Sequence, residues 1–423
     1  MSLKSSAGAV QSCKLNDRKD DDMGHNKVKR GVTALIALGL AFFAGVVFSD
    51  EIYSAIAVNT TALDDGRQER YREILNKISA IDEVIDTYYM EDDTIDPSLM
   101  SEGVYKGYVY GLNEKYTAYY TPEEYKQLLI QSEGVYSGIG VTMSQDMNTG
   151  KFVIVEVSEN GPGKAAGIQA GDVITEVDGE SVDGLSSDDV VAKIQGEEGT
   201  DVTITIERDG EAAPLEIKVT RQKIDAETVR YEMLENHIGY ILLTGFEEVT
   251  VKQFNEAVDK LLADGMEGLI VDVRGNPGGN MSSVCPILDR LLPEGLLVYT
   301  EDKNGKREEE YADNEEVLDI PMAVITNGSS ASAAEIFAAA LQDYEWAEIV
   351  GEQTYGKGVV QYIIPFSDGS AMKLTSAKYF TPDGRSIHGV GVTPDIFVEA
   401  GKDDDTDRQL EAAVKAVEAQ LSK

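Results

Sequence analysis

The spacing of hydrophobic positions changes repeatedly along the chain, and each change marks a boundary. From Gly31 to Ser49 the run GVTALIALGLAFFAGVVFS is apolar and carries no charge. As a helix it spans about 28 Å, close to the thickness of a bilayer core. Tyr71, Ile74, Ile78, Ile81, Ile85 and Tyr88 then recur at intervals of three and four, which predicts a helix with a narrow apolar seam. Further helices are expected over Ser98–Leu112 and Pro122–Gln131. From Gly134 the period falls to two. KFVIVEV, VITEVDG, VTITIERDG and LEIKVTR read as strands, broken by a Gly/Pro turn and by a short helix, SSDDVVAKIQG, with Ser187 as its cap. From Ile224 to Ile396 strands and helices alternate. Gly268–Val273 reads as a strand buried on both faces, and Thr250 with Gln253 predicts a capping box for a helix that Gly265 ends. Leu410, Ala413, Val414, Val417 and Leu421 predict a closing helix.

Charge settles how the first apolar run is read. Lys27, Lys29 and Arg30 precede it and Asp50 and Glu51 follow it, so the positive-inside rule puts the N-terminus in the cytoplasm. The expectation is a cytoplasmic tail over 1–30, a single-pass signal-anchor over 31–49 and an extracytoplasmic remainder. The competing reading is a signal peptide cleaved near Ser54–Ala57, which would release a secreted protein. The formal net charge is −39, and a surface of that sign repels phosphate backbones, so nucleic acid is excluded as a partner. Cys13 and Cys285 lie on opposite sides of the apolar run, so no internal disulfide is expected. No Cys/His cluster has metal-ligand spacing, and neither a metal nor a cofactor is expected.

The β-rich stretch over 133–222 resembles a PDZ domain. The resemblance rests on Gly138-Ile139-Gly140-Val141 followed by AAGIQAGDVITEVDG. It implies that Gly138, Ile139, Gly140 and Val141 form a carboxylate-binding loop whose N–H groups grip a peptide C-terminus, while the peptide adds as a strand. Ile139, Val141, Val190 and Ile194 would line the apolar pocket beneath it.

The chemistry is concentrated between Pro321 and Gln361. An apolar strand (Ala323–Ile325) breaks at Asn327-Gly328. Ser329, Ser330 and Ser332 then open an Ala-rich helix, and Lys357 follows between two glycines. No GxSxG elbow or HExxH set is present. His25 precedes the apolar run, His237 starts a strand and His388 sits in a glycine loop, so a Ser-His-Asp triad is poorly supported. A serine nucleophile with a lysine base needs less. The lysine must be neutral, so the site must lower its ordinary value of about 10.4 by desolvation. Gln361, four residues on, falls on the same side of a strand as Lys357 and could orient its amine, provided the chain bends at Gly358 or the lysine stem leans along the strand. An oxyanion could be held by the amide of Ala333 at the helix start and by an amide of the Asn276-Pro-Gly-Gly279 turn. From the residues alone, all three serines remain candidates.

The ordered set NPGG, SASAAEIFAAALQDY, GKGVVQ and KYFTPDGRSIHGVGVTPDI is similar to that of the carboxyl-terminal processing serine peptidases, the tail-specific proteases. The likeness runs from about residue 66 to 400. It implies that Ser332, three residues before Glu335, is the nucleophile, that Lys357 is the base, that Gln361 supports it, and that Gly278 and Ala333 donate to the oxyanion. Asp343, in the LQD motif, has a possible supporting role and reads here as structural. Ala334 replaces a usual serine, and His388 stands where glutamine is frequent. Arg274 reads as an ion-pair partner rather than a catalyst.

The expected fold class is therefore α+β and multidomain: an N-terminal membrane segment, a helical region (66–132), a PDZ domain (133–222), a crotonase-like α/β peptidase core (223–400) and a C-terminal helix (401–423). The expected function is endopeptidase action on protein or peptide substrates with free, apolar C-termini. By the same resemblance a homodimer, joined through the terminal helices, is expected. A non-catalytic PDZ scaffold and acyl-CoA chemistry on a crotonase-like core are the competing readings. The Ser332/Lys357/Gln361 set speaks against the first. The membrane segment and the PDZ unit speak against the second.

Overall fold

The computed structural model describes residues 65–147, 149–313, 317–401 and 406–422. The expected tail and anchor over 1–49 lie outside these residues. Among the described residues no helix is long and apolar enough to cross a membrane.

The N-terminal region opens with α1 (Asp65–Tyr88) and α2 (Pro97–Tyr110), joined by a short 3-10 turn. Asp96 caps α2, accepting the N–H groups of Ser98 and Leu99, and Pro97 fits the first helical position, which has no N–H to satisfy. The seam of α1 forms as predicted, but it meets no core here: Ile81 is 50% exposed and Tyr88 78%. The region is not wholly helical. β1 (Ala118–Tyr120) follows α2 and pairs antiparallel with a strand of the core more than two hundred residues later. A capping box opens α3 (Pro122–Glu133), where Thr121 and Glu124 exchange bonds. α3 ends at Gly134 in left-handed geometry. A Cβ there would come within 2.7 Å of Val249, so the entry to the next domain lies tight against the core.

The PDZ domain is inserted between α3 and the core. Its sheet runs β3 (Val141–Gln145), β4 (Phe152–Val157), β5 (Val173–Val177), β7 (Asp201–Glu207) and β8 (Leu215–Thr220), with β6 (Glu180–Ser181) beside β5. The helices α4 (Pro162–Ala166) and α5 (Ser187–Ile194) complete it. β2 (Val135–Gly138) and β9 (Gln222–Asp225) pair as a two-stranded ribbon at its entry and exit. The cap of α5 is Ser186, one residue before the expected Ser187, because the Ser186 hydroxyl reaches Asp189 in a capping box.

The core is built on the sheet β10 (Val229–Met233), β11 (Ile238–Leu243), β12 (Gly268–Asp272), β15 (Met322–Thr326), β16 (Glu348–Gly351) and β19 (Ile396–Phe397). All its pairings are parallel except β10 with β11. Residue parity decides the face. Leu269, Val271, Met322, Val324 and Ile349 pack with α6 (Glu248–Ala263), α7 (Met281–Leu291) and α8 (Ala333–Asp343). Ile270, Ala323, Ile325 and Val350 pack with Ala413 and Val417 of α9 (Arg408–Leu421). A sheet covered on both sides needs unbroken apolar runs, which is why β12 and β15 lack alternation. A second, antiparallel sheet joins β13 (Gly295–Asp302), β14 (Arg307–Ala312), β17 (Val359–Pro365), β18 (Ala371–Phe380) and β1.

Thr250 and Gln253 do not form the expected capping box. α6 starts earlier, with Glu247 at its cap position. Thr250 is buried against Thr228, and the Gln253 amide bonds Ala226 O and the N–H groups of Thr228 and Val229. The pair clamps the chain leaving the PDZ domain onto the core.

Candidate active site

Parallel strands end on one edge of a sheet, and the loops that follow them gather there. Here the loops after β12, β15 and β16 converge on a cavity of about 340 Å³ that Gly278, Ser332, Ala333, Lys357 and Gln361 all line.

The turn after β15 separates its serines. Ser329 is exposed on the outside of the turn. Ser330 is fully buried, its hydroxyl bonded to Val273 O at 2.7 Å and accepting the Asn327 N–H at 3.0 Å, so it fastens the turn to β12. Ser332 faces the cavity with φ 55° and ψ −116°. A non-glycine residue held there stores on the order of 1–3 kcal/mol. Its neighbours supply the restraint. The Ser332 N–H donates to Glu335 Oε2 at 2.9 Å, and the Tyr379 hydroxyl lies 3.1 Å from Ser332 O and 2.6 Å from Lys357 O.

Glu335 is wholly buried and links the two halves of the site. Besides Ser332 it accepts the N–H groups of Gly356 at 2.7 Å and Lys357 at 2.8 Å, and the Thr354 hydroxyl at 2.5 Å. Gly358 must be glycine because the 388–391 loop lies across it: a Cβ would stand 2.6 Å from His388 N. His388 itself is exposed, and its N, Cα and Cβ atoms are what press on Gly358.

Lys357 is half-buried beneath residues that sequence reasoning missed. Burial holds its amine below the ordinary lysine value, and like-charge repulsion from Lys373 adds to this; Glu335, Glu114 and Tyr355 pull the other way. Its Nζ stands 4.9 Å from the Tyr116 ring centroid, and Lys373 Nζ stands 5.4 Å from that of Tyr120. Both tyrosines belong to the N-terminal region, and both lysines line the cavity.

Gln361 reaches the cavity through a register irregularity in β17 between Val360 and Gln361. Its amide does not meet the lysine, as had been expected of an orienting group. It makes long contacts, 3.4 Å each, to Val359 O and Thr375 Oγ1.

The two residues expected to donate to an oxyanion, Gly278 and Ala333, stand together but are not equally open. Gly278 packs so closely on the serine turn that a Cβ would lie 2.8 Å from Ser332 Cβ and 2.9 Å from Ala333 N. Its φ of +104° also requires glycine. The Gly278 N–H, however, donates to Asn276 Oδ1 at 2.8 Å. The Ala333 N–H has no such side-chain acceptor among the described residues. In this arrangement one expected donor is engaged and the other is available.

The remaining candidates are structural or lie elsewhere. Asp343 is buried and pairs with Arg385 while accepting the Asp383 N–H at 2.9 Å, which anchors the loop after β18 at the far end of α8. Arg274 pairs with buried Asp272 and with Asp407 at 2.7 Å, tying the turn after β12 to the start of α9. In the PDZ domain a groove of about 40 Å³ is lined by Gly138, Ile139, Gly140, Val141 and Ile194. Val190 is not among its walls. It is sealed in the domain core, 0% exposed, and Val191, one step around α5, takes the place expected of it. No cluster suited to a metal ion occurs among the described residues.

Comparison with known proteins gives matches across both halves. Residues 237–398 match peptidase family S41, and residues 153–208 match a PDZ domain family. The carboxy-terminal processing protease CtpA of Bacillus subtilis (strain 168) is 34% identical over 369 residues, covering 87% of this chain and 76% of that protein. A carboxy-terminal-processing protease of Bartonella bacilliformis is 34% identical over 367 residues, covering 85% of this chain and 82% of that protein. Among solved structures, a photosystem II D1 C-terminal processing protease is 29% identical, covers 75% of this chain and 86% of its own, and superposes with a TM-score of 0.45.

Proposed function

The chain belongs to peptidase family S41, among the carboxy-terminal processing serine peptidases, and from that membership we propose that Ser332 attacks the substrate carbonyl with Lys357 as general base. The observation that carries this reading is the shared carboxylate: Glu335 Oε2 accepts the N–H groups of both Ser332 and Lys357. Two residues 25 positions apart are thereby held beside one cavity, and the Tyr379 hydroxyl, which reaches both their carbonyl oxygens, adds a second link.

In the first step the Ser332 hydroxyl proton passes to Lys357 Nζ as the serine oxygen bonds the carbonyl carbon. The oxyanion forms beside the Ala333 N–H, where the start of α8 adds positive potential. Collapse breaks the C–N bond, and the leaving amine takes the proton back from Lys357. Water then hydrolyses the acyl-enzyme with Lys357 again accepting a proton. A lysine can do this near neutrality only if its amine deprotonates well below its usual range, and the burial of Lys357 acts in that direction.

The PDZ domain is the proposed reader of substrate tails. The N–H groups of Ile139 and Gly140 have no backbone partner among the described residues, as a carboxylate-binding loop requires. The engaged Gly278 N–H fits a resting arrangement that substrate binding reorganises. The exposed seam of α1 suits a homodimer through the terminal helices, and the apolar run over 31–49 suits a membrane anchor with the peptidase outside the cytoplasm.

The decisive experiment is hydrolysis of a peptide with an apolar C-terminus, followed by mass spectrometry. Wild type should cleave it, and Ser332→Ala should lose about six orders of magnitude in kcat. Undiminished cleavage by Ser332→Ala would end this reading.

A further inference from the structure

The loop between α2 and β1 carries the N-terminal region onto the lysine. Glu114 bonds Thr375 Oγ1 at 2.9 Å, and Thr117 Oγ1 accepts the Thr375 N–H at 3.2 Å, fixing the loop to β18. On its other side Lys115 bonds the Tyr355 hydroxyl. Between these two fastenings Tyr116 sets its ring 4.9 Å from Lys357 Nζ.

A lysine ammonium is a point charge on a four-carbon stem, and nothing in the residue itself aims it. The group expected to do so, Gln361, is turned to Val359 O and Thr375 Oγ1. No hydrogen bond aims Lys357 Nζ among the described residues. What it does meet is an aromatic face, which attracts a cation and has little to offer a neutral amine. That preference matches the proton cycle, because the charged amine exists only after the serine has given up its proton.

Resting on the reading of Ser332 and Lys357 above, we propose that Tyr116 is a positioning residue for the general base: its ring aims the Lys357 amine into the cleft and stabilises the ammonium formed as Ser332 attacks. The N-terminal region thereby completes a site whose other parts lie in the core. The other groups facing the amine are Glu335, Tyr355, Lys373 and Glu114. Of these, Tyr355 also bonds the Tyr116 hydroxyl, so Tyr116→Phe, which loses that bond and keeps the ring, is the control that separates the ring from Tyr355.

The sign follows from the charge preference. Leucine keeps apolar cover over the amine, whose burial lowers it, and discards the ring face, which favours the neutral amine, so the acid limb of kcat/KM moves to lower pH. The weaker base and the lost transition-state contact lower the plateau by about tenfold. A side chain that only supported the fold would lower the rate and leave the limb in place.

The test measures kcat/KM against pH for the full chain on an apolar-tailed peptide, with a thermal unfolding midpoint for each variant. Tyr116→Phe keeps the ring face and should stay within about twofold of wild type with the limb unmoved. Tyr116→Leu should lose about tenfold on the plateau and shift the limb downward. Tyr116→Trp, whose face holds a cation more tightly, should shift it upward, and it serves where the leucine variant does not fold. An unmoved limb in both the Leu and Trp variants overturns the proposal, as does a Phe variant impaired as much as Leu. If Lys357→Ala is inactive while these limbs stay put, the proposal fails alone. Full activity in Lys357→Ala overturns the base assignment and this proposal with it.

Discussion

Glu335 and Lys357 meet through the backbone and not as an ion pair: the carboxylate accepts the Lys357 N–H at 2.8 Å, while the lysine amine points into the cavity. The same oxygen takes the Ser332 N–H, so one buried side chain, with Tyr379 beside it, ties helix α8 to the loop after β16. An ionised carboxylate has about four acceptor sites, and the partners here are Ser332, Thr354, Gly356 and Lys357.

Glu335→Gln tests that linkage. The amide keeps the shape but presents an NH2 group to N–H donors, leaving buried donors unpaired at about 1–3 kcal/mol. We expect a lower thermal unfolding midpoint and at least a tenfold loss in peptide hydrolysis, because Ser332 and Lys357 then share only the Tyr379 hydroxyl and not the carboxylate that holds both N–H groups. A variant as stable and as active as wild type would show that the fold around the carboxylate, and not the carboxylate itself, holds the two residues.

The three serines of the turn should separate by substitution. Ser329→Ala, on an exposed position, should stay within about 0.5 kcal/mol of wild-type stability and keep full activity. Ser330→Ala removes the bond to Val273 O and should cost about 1–2 kcal/mol, from chemical denaturation. Ser332→Gly should abolish turnover yet unfold at a higher temperature than Ser332→Ala, since glycine accepts φ 55°, ψ −116° without a Cβ clash. An alanine variant as stable as the glycine variant would argue that the turn relaxes when the hydroxyl is lost.

Much of this architecture was legible because it is local or periodic. The two-faced strand Gly268–Asp272, the helix start at Ala333, and the GIGV loop each announce themselves within a few residues. What stayed hidden depends on partners far along the chain. β1 is three residues long and is a strand only because β18 lies beside it. Thr250 and Gln253 have the spacing of a capping box, but Thr228 and Ala226 claim their side chains. The apolar side of α5 was readable, yet a step of one residue decides between Val190 in the core and Val191 at the groove. Tyr116 belongs to this hidden class: no local pattern marks a tyrosine as the neighbour of a lysine on another element.

The groove assignment gives its own test. Val191→Asp places a charge on a 37% exposed position beside the carboxylate loop, so it should spare the fold and weaken binding of an apolar-tailed peptide by about tenfold or more. Val190→Ala instead leaves a cavity in the domain core and should cost about 1–3 kcal/mol with little direct effect on the peptide. Fluorescence anisotropy of a labelled peptide, alongside denaturation, distinguishes the two. Equal loss of peptide binding in both variants, at equal stability, would move the groove elsewhere.

The depressed amine of Lys357 links activity to stability through pH. Burial is the first cause and Lys373 the second, so the folded protein holds this proton less tightly than the unfolded chain does. Between the lowered folded value and about 10.4 the unfolded state binds more protons, and stability rises with pH across that window. Below the folded value both states are protonated and the full cost of a buried ammonium is present. Lys357→Met, which keeps the stem and discards the charge, should therefore be inactive but more stable than wild type near neutrality, with the gain shrinking as pH climbs through the window. Lys373→Met acts in the opposite sense on the same group: with the repulsion gone the base holds its proton more tightly, the acid limb of kcat/KM moves to higher pH, and the rate at neutral pH falls. Thermal unfolding of the first variant from neutrality upward to about 10.4, the unfolded-chain value, and pH–rate profiles of the second measure one electrostatic balance from two sides. A limb that moves downward in Lys373→Met would mean that Lys373 acts on the substrate rather than on Lys357.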